Sequence, residues 1–97
     1  MPSYLILGNY TEEGIKNMKG LRGRVDEVKQ LFQQHGARQI FWYLTFGPYD
    51  FAALVEVPDT DTMARLALIL GEQGRTRTAT LQALTEEEAY RIAESLP

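Results

Sequence analysis

Apolar positions along this chain recur with two periods, and the changes between them mark out its elements. Ser3–Tyr10 is a short, mostly apolar run containing Tyr, Leu and Ile, which predicts a strand. Thr11-Glu12-Glu13-Gly14 then turns the chain, and no clean period follows until Gly23. Leu21, Val25, Val28, Leu31 and Phe32 recur at helical spacing and predict an amphipathic helix. Gly36, directly after His35, stands where such a helix places its left-handed terminal residue. Ile40–Phe46 and Phe51–Val57 read as two strands joined by the turn residues Gly47-Pro48-Tyr49-Asp50, a hairpin. Pro58-Asp59 ends the second of them. Asp59 or Thr60 can cap the next helix, which runs over Met63, Leu66, Ala67 and Leu70 to Gly71 or Gly74. Arg75–Leu84 alternates threonines with Arg77, Ala79, Leu81 and Ala83, a fourth strand. Thr85 and Glu88 have capping-box spacing and open a last helix over Ala89, Ile92, Ala93 and Leu96.

The order β-α-β-β-α-β plus a C-terminal helix is the α+β, ferredoxin-like arrangement: a four-stranded antiparallel sheet with both main helices on one face. Alternation through the hairpin assigns the two faces. Ile40, Trp42, Leu44, Phe46, Phe51, Ala53, Val55 and Val57 are expected toward the helices. Tyr43, Thr45, Asp50, Ala52, Leu54, Glu56, Thr78 and Thr80, with Phe41 beside them, are expected on the uncovered face. A half-apolar open sheet on so small a domain is usually buried against a second copy. A homodimer joined sheet to sheet is therefore expected.

Composition narrows the classes. Ninety-seven residues with 44% hydrophobic and 24% charged positions make one globular domain, spanning 1–97 with no linker or repeat. A net charge of −3 lacks the cationic surplus of a non-specific nucleic-acid binder. Charge is uneven, however. Residues 1–48 carry six basic and four acidic groups (+2), and residues 49–97 carry four basic and nine acidic groups (−5). With no cysteine and only His35, thiolate chemistry and multi-histidine sites are excluded. No apolar run approaches the ~20 residues of a membrane span, and no leader-like N-terminus is visible, so a cytoplasmic protein is expected.

Several constellations are candidate chemistry, each with a plainer structural alternative. Tyr49 and Asp50 sit in the hairpin turn, where a phenol and a carboxylate could orient a polar ligand or move a proton; alternatively they only close the turn. Asp50 and Glu56, on one strand, lie about 20 Å apart, too far for a catalytic carboxylate pair within one chain. Across a dimer they could approach each other, or pair with an arginine of the partner. Arg77 among Thr76, Thr78 and Thr80 could hold an anion, or the threonines serve β propensity alone. Arg22 and Arg24, ahead of a helix N-terminus where cations are disfavoured, carry the same ambiguity, and one of them is expected to have a pairing partner. His35 reads as a helix C-terminal cap. Neither a phosphate loop nor a GxSxG serine context is present.

The run Tyr43-Leu44-Thr45-Phe46-Gly47-Pro48-Tyr49-Asp50, followed by Glu56-Val57-Pro58-Asp59, resembles the signature of the GYD-domain family, with Gly47, Tyr49 and Asp50 as the naming residues. The resemblance extends to Tyr4, Thr11, Gly14-Ile15, Arg24, Gly36 and the run Arg77–Thr85; Thr76 and Leu84 depart from the Val and Phe expected there. It implies a dimeric α+β barrel, two ferredoxin-like protomers packed sheet on sheet around a cavity. Relatives of that architecture include cofactor-free monooxygenases, isomerases and haem enzymes, and the family itself implies no settled activity.

The expectation is a homodimeric module that binds a small molecule in a polar pocket between the sheets, with no cofactor or metal. Its ligand-binding candidates are Tyr43, Thr45, Tyr49, Asp50, Glu56, Thr78 and Thr80, with Arg24 and Arg77 as anion partners. Two alternatives stand beside it. One is an enzyme of small aromatic or quinone-like substrates with Asp50 as acid/base and Tyr43 or Tyr49 as donor. The other is a purely structural assembly module.

Overall fold

A computed structural model describes residues 1–97 and holds four strands and three α-helices. Strand β1 (Ser3–Tyr10) leads through a 3₁₀ turn to helix α1 (Leu21–Gln34) and strand β2 (Arg38–Leu44). Strand β3 (Phe51–Glu56), helix α2 (Thr60–Gln73), strand β4 (Thr76–Ala83) and helix α3 (Glu86–Glu94) follow. The sheet has the order β2-β3-β1-β4 with every pair antiparallel, which is the ferredoxin-like arrangement.

The helix ends are set by local chemistry. Asp59 caps α2 by accepting from the Thr62 backbone N–H at 2.8 Å and from its hydroxyl at 2.6 Å. Gly74, at φ 72°, ends the same helix in the left-handed region that favours glycine. Thr85 and Glu88 form the reciprocal capping box of α3. At the end of α1, Gly36 has φ 74° and His35 Nδ1 lies 2.9 Å from the Leu31 carbonyl, so this histidine is a structural cap.

The core lies between the helices and one face of the sheet. Tyr4, Ile6, Phe51, Val55 and Val57 meet Phe32 of α1 and Met63, Leu66 and Leu70 of α2. Phe32, Leu66, Val55 and Val57 are fully buried, each worth about 1.5–3 kcal/mol in burial free energy. Part of the expected core stays out of it. A bulge between Gln39 and Phe41 slips β2 by one residue and leaves Ile40 at the irregularity, 43% exposed. Leu44 is exposed at the edge, and Phe46, 94% exposed, belongs to the hairpin loop rather than to β2.

Helix α3 buries none of its residues, and Tyr90, Ile92 and Leu96 are exposed. The molecule is accordingly elongated, 53 × 31 × 19 Å, with a radius of gyration of 14.8 Å. A compact chain of this length has about 12.5 Å. No helix is long and apolar enough to cross a membrane.

Candidate functional site

Register sorts the candidate residues onto the two faces of the sheet, because directly paired residues share a face. Tyr4, Ile6 and Gly8 of β1 are buried toward the helices. Their β4 partners are Gln82, Thr80 and Thr78, and Tyr10 pairs with Thr76. Thr78 and Thr80 therefore face the helix side, not the uncovered side expected from alternation alone. Arg77, Ala79, Leu81 and Ala83 take the uncovered side, opposite Asn9, Leu7, Leu5 and Ser3. The row of hydroxyls and Arg77 lie on opposite faces and cannot act on one ligand.

The uncovered face is consequently more apolar than the pattern implied. Leu5, Leu7, Ala52, Leu54, Ala79, Leu81 and Ala83 share it with Phe41 and Tyr43, whose rings pack at 5.0 Å. Tyr43 stands on this face as expected and is 62% exposed. Glu56 is there too, but its carboxylate is held by Arg38 of the neighbouring strand at 2.6 Å, a partner within the same chain. No partner-chain arginine is needed.

The hairpin loop holds itself together. Thr45 donates its backbone N–H to the Asp50 carbonyl at 2.8 Å and its hydroxyl to the Tyr49 carbonyl at 2.6 Å, while Gly47 adopts φ 87°. The Asp50 side chain, by contrast, does not close its own turn. Its Oδ2 accepts from the Tyr10 backbone N–H at 2.9 Å, and its N–H donates to the Gly8 carbonyl at 2.8 Å. The carboxylate thus seals the end of β1 instead of standing on the uncovered face.

A cavity of about 70 Å³ opens on the other side of the sheet, beneath α1. Ile6, Tyr10, Phe51 and Trp42 line it from the sheet, and Leu21, Val25, Val28 and Phe32 from the helix. Phe51 packs between Tyr10 at 5.5 Å and Trp42 at 5.8 Å. Its ring lies directly on Gly8, where an added Cβ would sit 2.0 Å from Phe51 Cζ. A side chain at position 8 fits only if the Phe51 ring moves.

Two cations reach this cavity, Arg24 and Arg75. Arg24 donates to the Gly14 carbonyl at 2.6 Å and to Met18 Sδ at 3.1 Å, with its guanidinium 5.8 Å from the Tyr10 ring centroid. These are the partners its helical position required. Gly14 in turn presses on the Arg75 backbone so closely that a Cβ would meet the carbonyl oxygen at 1.8 Å, which brings the two arginines to one place. Burial raises the Tyr10 phenol pKa and Asp50 adds to it, against the lowering effect of Arg24. Gln39 also lines the cavity, and its buried Nε2 has no hydrogen-bond partner.

Arg24 is thus the only ligand candidate from the sequence that reaches the cavity. Tyr10, Trp42, Gln39 and Arg75 were not among those candidates. The alternation Tyr4, Ile6, Gly8, Tyr10 was a usable signal for Tyr10, but the bulge beside Gln39 erases any such signal for that residue.

A family model described as the GYD domain matches residues 4–93. A curated protein of Thermus thermophilus, the glutamine synthetase and cystathionine beta-lyase binding protein, is 36% identical over 85 residues, covering 87% of this chain and 90% of that protein. The crystal structure of FFRP-DM1 superposes with a TM-score of 0.61 at 16% identity, over 87% of this chain and all of that one. A hypothetical protein from Pyrococcus horikoshii gives 0.57 at 18% identity, over 89% of this chain and 93% of the other. A crystal structure from Thermus thermophilus gives 0.54 at 24% identity, over 88% of this chain and 95% of the other. At these identities the structural likenesses concern the fold alone.

Proposed function

The chain belongs to the GYD-domain family, and from that premise we propose that it is a binding module acting through protein contacts. It pairs with a second copy through the uncovered sheet face and engages other proteins as that dimer. One observation carries this reading: β4 turns Ala79, Leu81 and Ala83 outward while its threonines face the helices, so all four strands contribute apolar side chains to a surface nothing in the chain covers. Contiguous apolar surface of this kind is characteristic of interaction sites. Helix α3 supports the same reading. A nine-residue helix is marginal in isolation, and its exposed Ile92, with Leu96 just beyond its end, offers apolar surface that a second molecule would cover.

The polar pocket between paired sheets has fewer groups to draw on than the sequence suggested. Thr78 and Thr80 lie behind the sheet, and Asp50 is engaged with β1. Ser3, Asn9, Tyr43, Arg77 and the Arg38–Glu56 pair are the polar groups on the face that a sheet-to-sheet dimer would enclose.

The partners to try first follow from the Thermus thermophilus relative, whose name specifies glutamine synthetase and cystathionine beta-lyase. Sedimentation equilibrium at micromolar concentration is expected to show a dimer. Purified host glutamine synthetase and cystathionine beta-lyase are expected to be retained by the immobilised dimer. A monomer at every accessible concentration, with neither enzyme retained, overturns the proposal.

A further inference from the structure

The cavity beneath α1 lies on the opposite side of the sheet from the proposed protein contacts, and its chemistry is one-sided. Tyr10, Phe51 and Trp42 give it an aromatic wall, faced by Val25 and Val28. Both charged residues that line it, Arg24 and Arg75, are cations, and no carboxylate does. We infer that this cavity binds a short-chain aliphatic carboxylate, with its hydrocarbon body against the aromatic wall and its carboxylate on Arg24 and Arg75.

Size sets the length of the body. A cavity of about 70 Å³ is half the ~150 Å³ that accommodates six-carbon benzene, so it takes a body of about three carbons. Charge sets the head group. Arg75 is held in the free protein only by a loose pair with the exposed Glu27 at 3.7 Å and by Gln73 at 3.0 Å. A ligand carboxylate competes readily with such a pair, since exposed ion pairs are weak and a guanidinium fits a carboxylate bidentately. Tyr10, which lines the cavity, carries a phenol hydroxyl as a further donor. The orphaned Gln39 Nε2 gains an acceptor if its terminal amide rotates toward a bound oxygen, a torsion with broad preferences.

Trp42 is the chain's one tryptophan and lines the cavity, so its emission reports occupancy. Acetate, butanoate and 1-butanol are titrated at constant ionic strength. Butanoate is expected to give a saturable change, with affinity about tenfold above acetate because two more methylenes leave water. It is also expected to bind about tenfold more tightly than 1-butanol, which has no charge for the arginines. Arg75→Gln is expected to reduce the preference for butanoate over 1-butanol several-fold, leaving the share that Arg24 supplies, with the apolar response retained. Val28→Phe is expected to fill the space and abolish both responses; because it can also disturb packing, Arg75→Gln is the deciding variant. No saturable change in Trp42 emission overturns the site. Equal affinity for butanoate and 1-butanol, or a preference that Arg75→Gln leaves undiminished, overturns the carboxylate.

Discussion

Asp50 holds Tyr10 across 40 positions of sequence: its Oδ2 accepts the Tyr10 backbone N–H at 2.9 Å while its own N–H donates to the Gly8 carbonyl at 2.8 Å. Together the two bonds extend the β1–β3 pairing past its last ladder pair, Gly8 with Phe51. Asp50→Ala is expected to lower stability by about 1.5–3 kcal/mol, the usual loss for a hydrogen bond to a charged group. Asp50→Asn keeps an acceptor and is expected to lose less. Urea unfolding checks both. An unchanged midpoint for the alanine variant would remove the clamp from the account.

Gly8 and Phe51 occupy each other's space. In Gly8→Ala the new Cβ would stand 2.0 Å from Phe51 Cζ, so the ring must leave its place between Tyr10 and Trp42. Overpacking of this kind costs about 1–3 kcal/mol. Adding Phe51→Leu should recover part of the loss, a coupling that a double-mutant cycle measures directly.

Leu81 is 47% exposed on the uncovered face. Leu81→Glu is expected to change the stability of the single chain by no more than about 0.5 kcal/mol, as for most surface substitutions. The same change places a charge in the proposed sheet-to-sheet contact. Sedimentation should then find the 11.0 kDa species at concentrations where the unaltered protein is a dimer.

Ile92 and Leu96 of the C-terminal segment touch little of their own chain. Ile92→Asp with Leu96→Asp is expected to leave the core and its near-ultraviolet dichroism unchanged while weakening dimerisation or partner retention. Loss of the folded core instead would show that α3 stabilises its own protomer.

Acid should loosen both C-terminal helices at their caps. The Asp59 pKa is lowered from 3.8, first by the Thr62 hydroxyl and then by the Thr62 backbone N–H. That of Glu88 is lowered from 4.5, first by the Thr85 backbone N–H. A carboxyl whose folded pKa lies below its unfolded value contributes stability that is whole above the unfolded value and is lost as pH falls through the folded one. The loss is therefore expected below pH 3.8 for Asp59 and below 4.5 for Glu88. Circular dichroism across this range checks it, and Asp59→Asn should flatten the more acidic part.

Sequence alone determined what depends on neighbours along the chain. Gly36 and the Thr85–Glu88 box mark helix ends, and Asp59 or Thr60 with Gly71 or Gly74 bracketed those of α2, because a cap is made by residues within one turn of each other. The two faces of β3 were equally legible, whereas β1, apolar on both sides at Tyr4-Leu5-Ile6-Leu7, was legible as a strand but not as to which side enters the core. Tertiary structure decided the rest. β4 shows its threonines to the helices because Thr76 pairs with Tyr10, and a shift of one residue would have exchanged its two faces. The bulge beside Gln39 moved Ile40 to an exposed site and left an amide nitrogen buried without a partner. Asp50, legible as a turn residue, found its acceptor role on a strand that local pattern does not connect to it. Arg24 and Arg75 share one cavity because Gly14, too small to keep the backbones apart, lets two distant segments close on each other.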